Sequence, residues 1–140
     1  MTTTPFDRAG LVALASATVV LGVSFLPWAT SGSRPRTSYE LVGVAVRFDL
    51  VPSDLEPFAR LWFLVPALVG VGWLAEASGR TSTAAIVCVA VGLLSVVAAA
   101  LTMQSPLATE AGAVVALGSG VLAVGAGTVH LLFARTHHDR

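Results

Sequence analysis

The sequence contains no lysine and no asparagine, and only 11% of its 140 residues are charged, against about 25% in soluble domains. Its eight arginines balance eight acidic residues, so the chain lacks the basic field that recruits nucleic acid. The single cysteine excludes an internal disulfide and a cysteine-based zinc cluster. The chain instead has 55% hydrophobic residues and a mean hydropathy of +0.82. These values indicate an integral membrane protein, which is embedded in and contacts the lipid bilayer.

Four apolar stretches approach the roughly 20 residues that a helix needs to cross a bilayer core. They predict spans over about 9–29, 58–76, 83–103 and 111–134, within one membrane domain covering residues 1–140. The second span contains Pro66, which we expect to kink it. Trp28 ends the first span and Trp62 begins the second, so both are expected at the same membrane interface. The fold class is therefore predicted to be all-α, an integral membrane four-helix bundle.

The connection between the first two spans contains a helix signal of its own. Thr37-Ser-Tyr-Glu40 is typical of a capping box, in which the Thr hydroxyl and the Glu carboxylate each accept a backbone N–H. The apolar run that follows predicts a short loop helix over about 38–50. An apolar helix outside the spans is expected to be interfacial or re-entrant.

Spans three and four each carry a face of small residues opposite a face of bulky aliphatic ones. Small side chains let helix backbones approach closely in lipid, so the two small faces are predicted to meet as an antiparallel pair. A groove for a lipid or a partner helix is the alternative. These helix-packing or partner-interface residues are Ala84, Cys88, Gly92, Ser95, Ala99, Gly112, Ala116, Ser119, Gly120, Ala123 and Gly127. Gly118 and Gly125 interrupt the bulky face of span four and indicate a second contact surface.

Groups capable of chemistry are few in this sequence. His130 lies about one turn inside the end of span four and is a candidate polar site, although a histidine hydrogen-bonded at a helix end is the favoured interpretation. Cys88 is expected to pack as a small hydrophobe, and Ser95 and Thr102 to bond to their own helix backbone. No nucleophile stands beside a base, so we predict no enzyme, no catalytic residue, no cofactor and no metal.

A polar segment precedes the loop helix. Arg34, Arg36 and Tyr39 lie there, and Trp28 and Trp62 are predicted at the same membrane interface. Arginine pairs bind phosphate and carboxylate groups, so these five residues are candidate lipid or partner contacts. The alternative is that they anchor the loop helix at the level of the lipid headgroups.

One stretch resembles a known group of proteins. Leu26-Pro-Trp28, Ser31-Gly32 and Arg36-Thr-Ser-Tyr-Glu-Leu41 resemble small four-span membrane proteins of actinobacteria, which carry Pro-Trp at the end of the first span and an Arg-Ser-Ser-Tyr/Phe-Glu-Leu helix start. Thr37 stands here where that pattern has Ser. The resemblance implies an actinobacterial inner membrane and no particular activity.

Four spans place both termini on the same side of the membrane. The arginines are tied, four on each side: Arg8, Arg80, Arg135 and Arg140 with the termini, and Arg34, Arg36, Arg47 and Arg60 with the long loop. The terminal-side segments are shorter and therefore denser in arginine, so we predict cytoplasmic N- and C-termini in a bacterial plasma membrane.

The predicted function is that of a non-enzymatic accessory or scaffold subunit in an inner-membrane complex, with a membrane-protein partner or further copies of the chain. One alternative is a small homo-oligomeric transporter or channel, whose polar stripe would come from Ser95, Thr102, Ser119 and His130. Another is a lipid-binding membrane protein that uses Arg34 and Arg36.

Overall fold

The computed structural model describes residues 5–48, 53 and 56–136. The helices are α1 (Pro5–Val23), α2 (Ser38–Arg47), α3 (Glu56–Leu61), α4 (Val65–Ala77), α5 (Thr81–Gln104) and α6 (Ala111–Thr136), and a 3₁₀ turn at Trp62–Leu64 joins α3 to α4. The strands are β1 (Pro27–Ser31), β2 (Arg34–Thr37) and β3 (Ala108–Thr109). The described chain is therefore mostly helical.

Three helical stretches are long and apolar enough to cross a membrane: Ala59–Ala77, Thr81–Gln104 and Ala111–Phe133. The apolar part of α1, Arg8–Val23, is shorter. The first span was predicted to run to Ala29, but α1 ends at Val23 and β1 begins at Pro27. The reason is local. Pro27 disfavours helix in the residue before it, and Trp28 Nε1 donates to Val23 O at 2.8 Å, which satisfies a carbonyl at the helix end.

The second predicted span is also divided differently. The sequence predicts Pro66 in the interior of the second span, but it lies in the first turn of α4, just after the 3₁₀ turn Trp62–Leu64. Proline is favoured in the first turn, because the N–H groups there have no partner within their own helix. The 3₁₀ turn before it carries the chain from α3 into α4, and Arg60 Nε of α3 donates to Glu56 Oε1 at 3.1 Å.

The loop helix exists but is shorter than predicted. α2 runs from Ser38 to Arg47, and residues 49–50 of the expected range lie outside the described residues. The predicted capping box is confirmed. Glu40 N donates to Thr37 Oγ1 at 3.3 Å, and Thr37 N donates to Glu40 Oε2 at 2.9 Å.

The long helices pack around α1 and α5. Each of these two contacts both α4 and α6, and the contact between α5 and α6 is the most extensive. Trp73 Nε1 donates to Thr18 Oγ1 at 3.1 Å, which joins α4 to α1. The fully buried residues are mainly small or β-branched and include Ala13, Ala17, Val20, Val65, Val91, Ala99, Ala113 and Ala116. Such residues allow close helix packing without a hydrophobic force between helices in lipid.

A small antiparallel sheet, in the order β2-β1-β3, lies at the end of the bundle where α6 begins. The all-α prediction did not include this sheet. The β1–β2 hairpin turns through Gly32, whose φ of +65° is favoured by glycine. The other edge pairs Ala29 with Thr109 and Thr30 with Ala108. A strand of two residues has no periodicity of its own, and its partner is distant in sequence, so no local pattern indicates this pairing.

Candidate functional site

The small residues predicted for helix packing are all buried in the structure. At the centre of the α5–α6 contact, a Cβ placed on Gly92 would lie 2.7 Å from Gly120 O, and one on Gly120 would lie 2.9 Å from Gly92 O. Nearer the end of α6, a Cβ on Gly127 would lie 2.9 Å from Val89 Cγ2. The two helix backbones are therefore in direct contact along this face.

The hydroxyl groups of this region donate within the protein. Ser95 Oγ donates to Ala116 O of α6 at 2.8 Å, whereas a bond to its own helix was expected. The close backbone approach explains this difference, because it brings a carbonyl with a spare lone pair within reach of the hydroxyl. Thr102 Oγ1 donates to Ala98 O at 2.9 Å, as predicted, and Ser119 Oγ donates to Val115 O at 2.7 Å.

Two residues near the ends of α6 contact elements at the start of the chain: Gly112 contacts β1, and His130 contacts α1. A Cβ on Gly112 would overlap Pro27 O and lie 2.7 Å from Trp28 Cδ1, so this glycine packs the start of α6 against β1. His130 is buried, and a Cβ on Gly10 would lie 3.1 Å from its Cε1. The start of α1 and the end of α6 therefore meet at His130. Cys88 of α5 is buried in the hydrophobic core of the protein.

An aromatic cluster lies at the end of the helices that carries the sheet, and we call it the aromatic cap. It consists of Trp28, Trp62 and Tyr39, and it is hydrogen-bonded to Ser24 and Ser38. The two indole rings meet edge to face, with centroids 5.3 Å apart. Trp62 Nε1 donates to Ser38 Oγ at 3.0 Å, and Ser38 Oγ donates to Ser24 O at 2.7 Å. The Tyr39 hydroxyl lies 3.1 Å from Ser24 Oγ. This chain of hydrogen bonds ties the end of α1 to α2 and to the turn before α4.

The prediction that Trp28 and Trp62 contact lipid or a partner is wrong. Only 1% of Trp28 and 2% of Trp62 is exposed. Both indole N–H groups find acceptors inside the protein, which allows these large rings to be buried completely. The exposed apolar side chains at this level belong instead to Phe25 and Phe63, whose rings pack against Tyr39 with centroid distances of 5.2 and 5.8 Å.

The two candidate arginines lie on the hairpin beside this cap. Arg34 is exposed and pairs with Ser31, and Arg36 is half-buried and pairs with Ala29. On the other edge of β1, Thr30 Oγ1 donates to Glu110 Oε1 at 2.7 Å, and Glu110 N donates to Trp28 O at 2.9 Å. Glu110 thus fastens the start of α6 to the sheet. No local sequence pattern indicates this contact, because Thr30 and Glu110 are far apart in the chain.

An apolar groove of about 470 Å³ lies on the outer surface between α1 and α6. Its lining residues are Val12, Ala15, Ser16, Val19, Val115, Gly118, Ser119 and Leu122. Gly118 faces open space in the described part of the chain, where no atom lies within 4 Å of the position a Cβ would take. The sequence pattern had indicated a second contact surface at Gly118. It did not indicate that α1 forms the opposite wall, because that depends on how the helices pack.

Among the described residues, no group of three His, Cys, Asp or Glu side chains is placed to hold a metal ion. Comparison with known proteins found no matching family model, no matching curated protein and no matching solved structure.

Proposed function

We propose that the chain crosses the membrane four times, with α1 as the additional span. Gly10 near the start of α1 meets His130 of α6, and Pro27 just after α1 meets Gly112. The segment from α1 to Pro27 thus runs beside about 27 Å of α6, at 1.5 Å per helical residue. That distance approaches the roughly 30 Å thickness of a bilayer core, so the turn after Val23 makes up for the short helix.

In this arrangement the loop with α2 and the sheet lies on one side, and both termini lie on the other, cytoplasmic side of a bacterial plasma membrane. The density of arginine near the termini supports this orientation. α2 would lie in the interface beside the aromatic cap. A C-terminal fusion to a reporter that is active only in the cytoplasm tests the orientation, and an inactive fusion of a correctly inserted chain would reverse it.

Within the membrane, we propose that the protein is a non-enzymatic accessory or scaffold subunit of a larger inner-membrane complex. The observation that carries this proposal is the α1–α6 groove. Gly118 lines this groove, and a glycine inside a helix costs about 1 kcal/mol relative to alanine. None of the described residues lies within 4 Å of the position its Cβ would take. A transmembrane helix from another subunit could approach closely at this position, because small residues allow close contact between helices in lipid.

Affinity purification of a tagged chain from mildly solubilised native membranes tests the subunit proposal. We expect a stoichiometric membrane protein to accompany the wild-type chain and to be lost from Gly118→Leu, whose side chain fills the groove. Gly70→Leu is the matched control, because Gly70 also has open space around it but lies on α4, away from the groove. A chain that purifies alone as a defined multimer would overturn the subunit proposal and favour a homo-oligomer.

A further inference from the structure

Strand β2 presents two arginines on the same face of the hairpin. Arg36 lies opposite Ala29 and Arg34 opposite Ser31, and residues two apart in a strand point to the same face. At about 3.4 Å per residue, their Cα atoms are about 7 Å apart. Two guanidinium groups at this spacing can both reach one phosphate placed between them, each with paired N–H donors.

The acidic side chains near this hairpin are already engaged. Glu40 accepts the Thr37 backbone N–H in the capping box, and Glu110 accepts from Thr30. Thr30 alternates with Ala29 and Ser31 along β1, so Glu110 is bound on the opposite face of the sheet from the arginines. Within the described residues, the ion pair on the loop side joins Arg60 to Glu56, and neither arginine of β2 forms one.

The hairpin begins at an apolar ring of exposed side chains. Phe25 and Leu26, immediately before Pro27, are 60% and 50% exposed, and Phe63 and Leu64 of the neighbouring turn are both 49% exposed. In the membrane placement proposed above, on which this step depends, such a ring lies in the hydrocarbon layer. Arg36, opposite Ala29, then lies about 7 Å beyond Pro27 along β1, within a headgroup layer about 5–8 Å thick on each side. Arg34, opposite Ser31, lies about 14 Å beyond Pro27, and its long side chain reaches back toward that layer.

We propose that Arg34 and Arg36 together bind the phosphate of an anionic phospholipid headgroup. In the proposed placement, two positive charges that form no ion pair with the described residues face the layer in which lipid phosphates are concentrated. An anionic lipid such as phosphatidylglycerol is favoured over zwitterionic phosphatidylcholine, because the phosphatidylglycerol headgroup carries no ammonium group to offset the phosphate charge. The long arginine side chains reach the phosphate while their aliphatic parts lie along the exposed apolar ring.

The test is native mass spectrometry of the full chain in detergent, titrated with phosphatidylglycerol or phosphatidylcholine. We expect the wild-type chain to retain phosphatidylglycerol preferentially. R34A/R36A is expected to bind it about thirtyfold more weakly, from the combined contributions of two basic residues near an anionic membrane surface. R34K/R36K should retain part of the preference, since lysine keeps the charge but not the paired donors. The matched control is Arg80→Ala, an exposed arginine in the turn between α4 and α5.

The proposal would be overturned if wild type and R34A/R36A retained phosphatidylglycerol equally, or if wild type retained the two lipids equally. It would also be overturned if Arg80→Ala lost as much phosphatidylglycerol binding as R34A/R36A, or if the same concentration of inorganic phosphate displaced the lipid. If R34A/R36A fails to fold, the single variant R34A at an exposed position carries the comparison. A variant that keeps the lipid but loses a copurifying protein would assign the arginines to that protein instead. Gly118→Leu should keep the lipid preference, which separates failure of this site from failure of the proposed helix-docking groove.

Discussion

Gly92 of α5 and Gly120 of α6 face each other backbone to backbone. A Cβ on either residue would come within 3 Å of the carbonyl oxygen of the other. Because the obstacle in both directions is backbone and not a flexible side chain, a larger residue at either position forces the two helices apart. The stability of the α5–α6 pair therefore depends on having no side chain at these two positions.

Gly92→Ala and Gly120→Ala are accordingly expected to lower the free energy of unfolding by about 1–3 kcal/mol, the usual range for overpacking. Denaturant unfolding in detergent, followed by circular dichroism, measures this change. Gly70→Ala is the control, since its Cβ meets open space and alanine is the better helix former. If Gly92→Ala proved as stable as Gly70→Ala, the close packing of α5 on α6 would be wrong.

Ser38 links two buried residues, Trp62 and Ser24, through its hydroxyl. Its hydroxyl accepts from Trp62 Nε1 and donates to Ser24 O, and its side chain is buried. Ser38→Ala leaves a buried donor and a buried acceptor unpaired, which costs about 1–3 kcal/mol. We expect a matching loss of stability and a shift in tryptophan fluorescence. Ser33→Ala in the exposed hairpin turn is the comparison variant, and equal behaviour of the two would contradict the hydrogen-bond chain.

The bond from Thr30 to Glu110 fastens α6 to the sheet. We expect Glu110→Ala to weaken this attachment by about 0.5–1.5 kcal/mol and to speed amide hydrogen exchange in β1 and β3. Glu110→Gln should behave nearly as wild type, because its side-chain oxygen still accepts the Thr30 hydroxyl. In a double-mutant cycle, Thr30→Val and Glu110→Ala should be less than additive. Full additivity would mean that the two side chains do not interact.

Thr37 is the N-cap residue of α2, and its side-chain oxygen accepts a hydrogen bond from the first turn of the helix. Thr37→Ala removes the acceptor for Glu40 N and is expected to cost about 1 kcal/mol. The effect should appear as faster hydrogen exchange confined to α2. Thr37→Ser keeps the hydroxyl and should restore protection, and protection that is unchanged in Thr37→Ala would show that the cap does not hold this helix.

Much of the helical layout could be predicted from local signals. Apolar length indicated α5 and α6 closely, the Thr37–Glu40 spacing indicated the start of α2, and small residues at helical spacing marked the face on which Gly92 and Gly120 meet. Each of these signals lies within a few turns of chain, where hydrogen bonding and side-chain spacing repeat regularly. The arginine pair was also visible in the sequence, as two basic residues separated by a proline.

Other features depend on contacts between distant parts of the chain. The burial of Trp62, the pairing of β1 with β3 and the α1 wall of the groove all require a partner from another part of the chain. A tryptophan beside an apolar run can face lipid or the protein interior with equal local preference. Which of the two occurs depends on whether its N–H finds an acceptor. For Trp28 the acceptor, Val23 O, is nearby in the chain, whereas for Trp62 it is Ser38 Oγ of α2, which reaches the indole only when the helices have packed together.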